Sequence, residues 1–89
     1  MHSREAVERC IGRNIARLRR LRGMRQKALA KEIGCTLQTI SKYECGAISI
    51  SGYRLYQLAD ALGVTVDAFF VGVKRTESQP RVCELDQAA

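Results

Sequence analysis

The sequence lacks a long apolar run, and nothing in its 89 residues could cross a bilayer as a helix. The opening residues, MHSREAVERC, also lack the apolar core of a secretory signal. The expectation is a soluble cytoplasmic protein with no membrane partner. Histidine is nearly absent: His2 stands alone near the start, a poor place for a catalytic base. Four cysteines, Cys10, Cys35, Cys45 and Cys83, include no closely spaced pair of the kind that holds structural zinc. A cytosolic setting argues against disulfides, so small buried or half-buried thiols are expected. There is no Gly-rich phosphate loop and no nucleophile set beside a base. These absences argue against an enzyme, and neither a metal nor a cofactor is expected.

What is present is positive charge, unevenly spread. Met1 to Lys42 holds eleven Arg and Lys against three Glu, a net of +8. Tyr43 to Ala89 holds four against six acids, a net of −2. A basic half beside a mildly acidic half suits a polyanion on one side, although a basic surface can also be plain solvated charge. The length fits one small domain, marginal in stability unless well packed or oligomeric.

Helical spacing dominates the first two-thirds of the chain. Ser3 is placed to cap a first helix, with Glu5 favourable to its dipole. Val7, Ile11, Ile15, Leu18 and Leu21 recur at three- and four-residue intervals and predict one apolar stripe, ended by Gly23. Arg13, Arg17, Arg20 and Arg22 lie mostly off it; for them phosphate contact and solvation are both open.

The stretch Gln26–Cys45, QKALAKEIGCTLQTISKYEC, predicts two short helices joined by a tight turn. Leu29 and Ile33 form an apolar pair beside the small Ala30. Gly34 supplies the left-handed position that ends the first helix. Thr36 is a good N-cap for the second. There Ile40 and Tyr43 face inward while Leu37, Gln38, Ser41 and Lys42 look outward. This is the pattern of a helix-turn-helix, whose second helix enters the major groove.

Farther on, Cys45–Ile50 should form a loop with Ile48 and Ile50 packed beneath it. Ser51 can cap a fourth helix with Leu55, Leu58, Ala59 and Leu62 toward the core and Gly63 at its end. Thr65 should cap a last short helix, with Val64 and Phe69 as a hydrophobic staple. Val71-Gly72-Val73 reads as a short extended piece.

From Ile11 to Phe70 the chain resembles the Cro/C1-type helix-turn-helix family, the phage-repressor and xenobiotic-response-element class. Gln26, Leu29-Ala30, Ile33-Gly34, Ile40-Ser41-Lys42-Tyr43-Glu44 and Gly46 carry the resemblance, with Ile15–Arg19 and Leu55–Gly63 in register. The resemblance implies an all-α, compact five-helix, phage-repressor-like domain over 1–73, with its helix-turn-helix core at 26–45. It implies a sequence-specific double-stranded-DNA-binding transcriptional regulator, a repressor by expectation, reading the groove with helix 37–44.

Leu37, Gln38, Ser41 and Lys42 are then the candidate base contacts. Glutamine can bond adenine N6 and N7 together, and leucine suits a thymine methyl group; packing against a neighbour is the other reading for Leu37. Arg25, Gln26, Thr36 and Thr39 are the candidate backbone contacts. Arg25 stands where relatives carry a Ser or Thr cap, and a cation there opposes the helix dipole. Arg19 and Glu44 match a structural pair of the family. The loop after Glu44 departs from it, having neither the usual basic residues nor a proline.

Residues 74–89 change character, with Pro80 the sole proline and charges of both signs. They read as a flexible or partner-ordered tail. The tail admits a rival function, a protein-interaction module such as an antitoxin or adapter. A homodimer is also expected, built from Phe69, Phe70, Val71 and Val73 and the segment following them.

Overall fold

In the computed structural model, which describes residues 3–73, each helix begins where a small hydroxyl or an extended residue lets it. The first helix, α1, is Arg4–Leu21, and Ser3 Oγ accepts from the Ala6 N–H at 3.1 Å. Helix α2, Gln26–Ile33, starts after Arg25, which gives extended backbone but no side-chain cap. Helix α3, Leu37–Cys45, is capped by Thr36, whose Oγ1 accepts from the Thr39 N–H. Helix α4, Gly52–Leu62, is capped in the same way by Ser51. A 3-10 helix, Val66–Phe70, closes the order.

The turn between α2 and α3 needs a left-handed residue, and Gly34 provides it at φ 73°. A side chain there would be strained whatever the space around it. The turn sets α3 across α2; α3 packs on α1, and α2 packs on α4. Ile15, Leu29, Ile40, Leu58, Leu62 and Phe69 are the largest fully buried side chains, one from each helix except α4, which gives two. Val7, Leu18, Ile50, Leu55, Val64 and Val66 pack around this cluster.

Several expectations fail in informative ways. Leu21 is 72% exposed and leaves the stripe. It lies three residues after Leu18, about 60° short of a full helical circuit, on the last turn of α1 before the chain bends away. Ile48 is also exposed, so of the two loop isoleucines only Ile50 packs under the loop. Cys10 and Cys35 are half-buried as expected, but Cys45 is exposed.

The fifth element is the largest correction: the domain has four α-helices and a 3-10 helix, not five α-helices, among the described residues. Thr65 makes no side-chain cap; its carbonyl instead accepts from the Ala68 N–H at 3.0 Å. Asn14 Nδ2, buried on α1, donates to the carbonyls of Phe69 and Val71, both at 2.8 Å. Both carbonyls lie at or just past the end of the 3-10 helix, so Asn14 ties that end of the element to α1. Val71–Val73 is a turn rather than an extended piece, with the Val73 N–H donating to the Phe70 carbonyl. The proposed tail, with Cys83, lies outside the described residues.

Candidate nucleic-acid interface

Helix α3 has two sides with opposite histories. Its inner side is locked to α1. Gly12 lets the two helices nearly touch: a Cβ added there would lie 2.2 Å from the Tyr43 carbonyl oxygen and 2.7 Å from that of Glu44. Beyond it, Gly46 ends α3 at φ 73° with its Cα against Arg9, where a Cβ would again collide at 2.8 Å. No other residue type fits either place without moving a helix.

Above this crossing sits the expected pair. Arg19 Nε donates to Glu44 Oε2 at 2.6 Å and Nη2 donates to Oε1 at 3.1 Å, a two-pronged geometry that suits guanidinium and carboxylate. Both side chains are nearly sealed from solvent, at 9% and 6% exposed. Two further bonds complete the site. Arg19 Nη1 donates to the Met24 carbonyl, and Gln26 Nε2 donates to Glu44 Oε1 at 2.8 Å. The pair therefore fixes the end of α1, the start of α2 and the end of α3 together.

Gln26 is thus held from within. Glu44 can only accept, so it dictates which way the amide points, and a second N–H on Nε2 is left for another acceptor. The threonines are similarly half committed. Thr36 Oγ1 and Thr39 Oγ1 lie 2.9 Å apart and share one hydrogen. Since Thr36 Oγ1 also accepts the cap bond, one hydroxyl hydrogen of the two remains to be donated outward. Arg25 is exposed at the start of α2, and its side chain has no hydrogen bond among the described residues.

The outer side of α3 is open. Gln38 and Lys42 are exposed, Ser41 is half-buried, and none makes a side-chain hydrogen bond among the described residues. Leu37, 43% exposed, borders a shallow groove with Lys27, Ala30, Lys31 and Cys35. It offers an apolar edge to the outside. The one acid of α3, Glu44, is turned inward and neutralised, so the outer side carries no negative charge. The sequence reading missed Cys45 on this side: it falls four residues after Ser41 and seven after Gln38, the spacing of a single helix face.

Four other residues that position the site had been passed over. Gly12 and Asn14 are described above. Arg22 Nη1 donates to the Leu62 carbonyl at the end of α4, and Arg54 Nη1 donates to the Ile33 carbonyl at the end of α2. Each satisfies a carbonyl that the last turn of a helix leaves without a partner. All four partners are distant in sequence, and no local spacing announces them.

Comparison with known proteins agrees with this geometry. A helix-turn-helix family model matches residues 15–69. The HTH-type transcriptional regulator y4aM of Sinorhizobium fredii is 43% identical over 65 residues, covering 73% of this chain and 46% of that protein. A transcriptional regulator in the ATPase CF(0) region of Rhodospirillum rubrum is 39% identical over 69 residues, covering 78% and 64%. The chain thus spans about half to two-thirds of the length of these relatives. Among solved structures, the restriction-modification controller protein C.AhdI of Aeromonas hydrophila superposes with a TM-score of 0.73 at 26% identity, over 78% of this chain and all of that one. The clp gene regulator ClgR of C. glutamicum, at 22% identity and a TM-score of 0.70, shares the fold. With its glycine-tight helix crossing, its Arg–Glu lock and an open second helix, this chain belongs to the Cro/C1-type helix-turn-helix family of transcriptional regulators.

Proposed function

We propose that this chain is a sequence-specific, double-stranded-DNA-binding repressor that works without catalysis or cofactor. The observation that carries the reading is the outer side of α3. Leu37, Gln38, Ser41 and Lys42 stand on a helix whose other side is fixed at three points, and none of their polar ends is spent on the protein itself. Preorganised side chains with free donors and acceptors are what base-edge recognition requires. Gln38 reads adenine, Leu37 a thymine methyl group, and Lys42 a guanine or a phosphate.

Around this reading row, Arg25, Gln26, Thr36 and Thr39 hold the sugar-phosphate backbone, using the spare Gln26 N–H and the spare threonine hydroxyl hydrogen. Backbone contacts set register and affinity, and the four α3 side chains set sequence. Four readers cannot single out one site among a genome of competitors. The protein therefore acts as a homodimer on a two-fold site with half-sites about 34 Å apart. Phe69 is sealed in the core and is unavailable to a partner. Phe70 and Val71 are exposed, as are Tyr53 at 71% and Tyr56 at 63% on the outside of α4, and these support the interface.

Selection from a random pool of duplexes tests the reading. The expected product is a two-fold symmetric motif that recurs at one spacing. A pool that remains random after enrichment would refute sequence-specific recognition, and a single unrepeated half-site would refute the dimer.

A further inference from the structure

Helix α1 and its C-cap residue Arg22 together carry seven basic side chains, all of them arginine, and the structure sorts them by use. Arg19 is taken by Glu44 and Met24. Arg22 is taken by the end of α4. Arg4 borders a groove with Val7, Ile50 and Phe70. The remaining four, Arg9, Arg13, Arg17 and Arg20, are exposed, and none forms an ion pair or side-chain hydrogen bond among the described residues.

These four share a face. Successive spacings of four, four and three residues keep them within about a quarter-turn of one another on a helix, in a row roughly 16 Å long at 1.5 Å per residue. The row lies on the side of α1 away from the core, adjoining the flank where Gly12 meets α3. The acids of α1 do little to neutralise it. Glu8 is bonded to Ser49, and Glu5 lies at the N-terminal edge without an ion pair among the described residues.

Four like charges at this spacing repel one another and work against the helix. Arginine also exceeds lysine in two-pronged binding of phosphate. We infer that the outer face of α1, through Arg9, Arg13, Arg17 and Arg20, is a second, sequence-independent phosphate-binding surface that takes DNA backbone outside the segment read by α3. The occupant follows from charge: duplex DNA carries one negative charge per 3.4 Å of axis on each strand, so about five phosphates of one strand lie within the length of the row. The inference rests on the reading of the chain as a DNA-binding protein, and the surface is distinct from the α3 contacts.

The test uses a 40-base-pair duplex of random sequence, with affinity followed by fluorescence anisotropy as salt is raised. Three proteins are compared with wild type: one with all four arginines changed to Gln, one with all four changed to Lys, and Gln38→Ala/Lys42→Ala. Melting curves establish that each is folded. Each phosphate contact contributes a slope of about −0.9 in log affinity against log salt. Between about 50 and 200 mM salt the wild type should therefore lose roughly a hundredfold more affinity than the Gln variant. The Lys variant should keep a slope near wild type, and the α3 variant should lose about one contact. A folded Gln variant with the wild-type slope would overturn the second surface and leave the α3 reading standing. A wild type that binds no duplex would overturn both. Retention of the slope together with lost capture on polyglutamate beads would overturn the DNA assignment and give the row to an acidic protein.

Discussion

The two sides of α3 are built on opposite principles. Along the inner side, Gly12 and Gly46 bring backbone to within contact, and Arg19, Gln26 and Glu44 form one hydrogen-bonded cluster. Along the outer side, the side chains of Gln38, Ser41 and Lys42 make no hydrogen bond among the described residues. Nine residues thus carry both the fold's tightest seam and its most permissive surface. The lesson is a division of labour: substitutions on the seam should register in stability, and substitutions on the open side should register in recognition.

The seam offers the largest effect. Arg19→Ala should lower unfolding free energy by about 3–5 kcal/mol, because it strands the Glu44 carboxylate in a site nearly closed to water. Chemical denaturation measures it. In a double-mutant cycle, Arg19→Ala and Glu44→Ala together should cost less than the sum of the two; strict additivity would dissolve the pair as an energetic unit. Gly12→Ala comes next. Its methyl would meet carbonyl oxygens of α3 at 2.2 and 2.7 Å, so α1 and α3 must separate. The expected cost is about 1–3 kcal/mol, the usual range for overpacking, with part of it appearing as weaker DNA binding because α3 itself shifts.

The open side should behave in the reverse manner. Gln38→Ala should leave stability within about 0.5 kcal/mol, as exposed substitutions do. On the enriched duplex it should cost about 1–3 kcal/mol of binding and relax the sequence chosen at one position per half-site. Equal losses on enriched and scrambled duplexes would mean that Gln38 touches backbone or nothing. The smallest effect sharpens the comparison at its edge. Arg25 occupies a cap position without capping. Arg25→Ser should raise stability by about 0.5–2 kcal/mol while shallowing the salt dependence by roughly one contact. A stability gain with an unchanged salt slope would remove Arg25 from the interface.

Which of these features the sequence could reveal follows from how local they are. The Ser3, Thr36 and Ser51 caps depend on bonds three residues long, and all three were legible. So were Gly34 and the inward–outward split of α3, because helical periodicity announces them. The Arg19–Glu44 pair was legible only through resemblance, since 25 residues separate its members. Asn14 was not legible, because the polar residue amid an apolar stripe has its partners more than fifty residues away. Its grip on the Phe69 and Val71 carbonyls ties the end of the last short helix, which is a 3-10 helix, to α1. Gly12 went unnoticed for a related reason: it sits mid-helix, where a glycine ordinarily weakens a helix, and only the approach of α3 gives it a purpose. Arg22 was left open between phosphate contact and solvation and Arg54 was given no role, yet each closes the end of another helix.

The division of labour on α3 is tested most directly by a single variant in which Leu37, Gln38, Ser41 and Lys42 are all changed to Ala, with denaturation and DNA binding measured on the same preparation. The account predicts a cooperative unfolding transition within about 1 kcal/mol of wild type and complete loss of preference for the enriched duplex over a scrambled one. An unchanged preference would contradict the assignment of base reading to α3, and a collapse of stability would contradict the separation of the two sides.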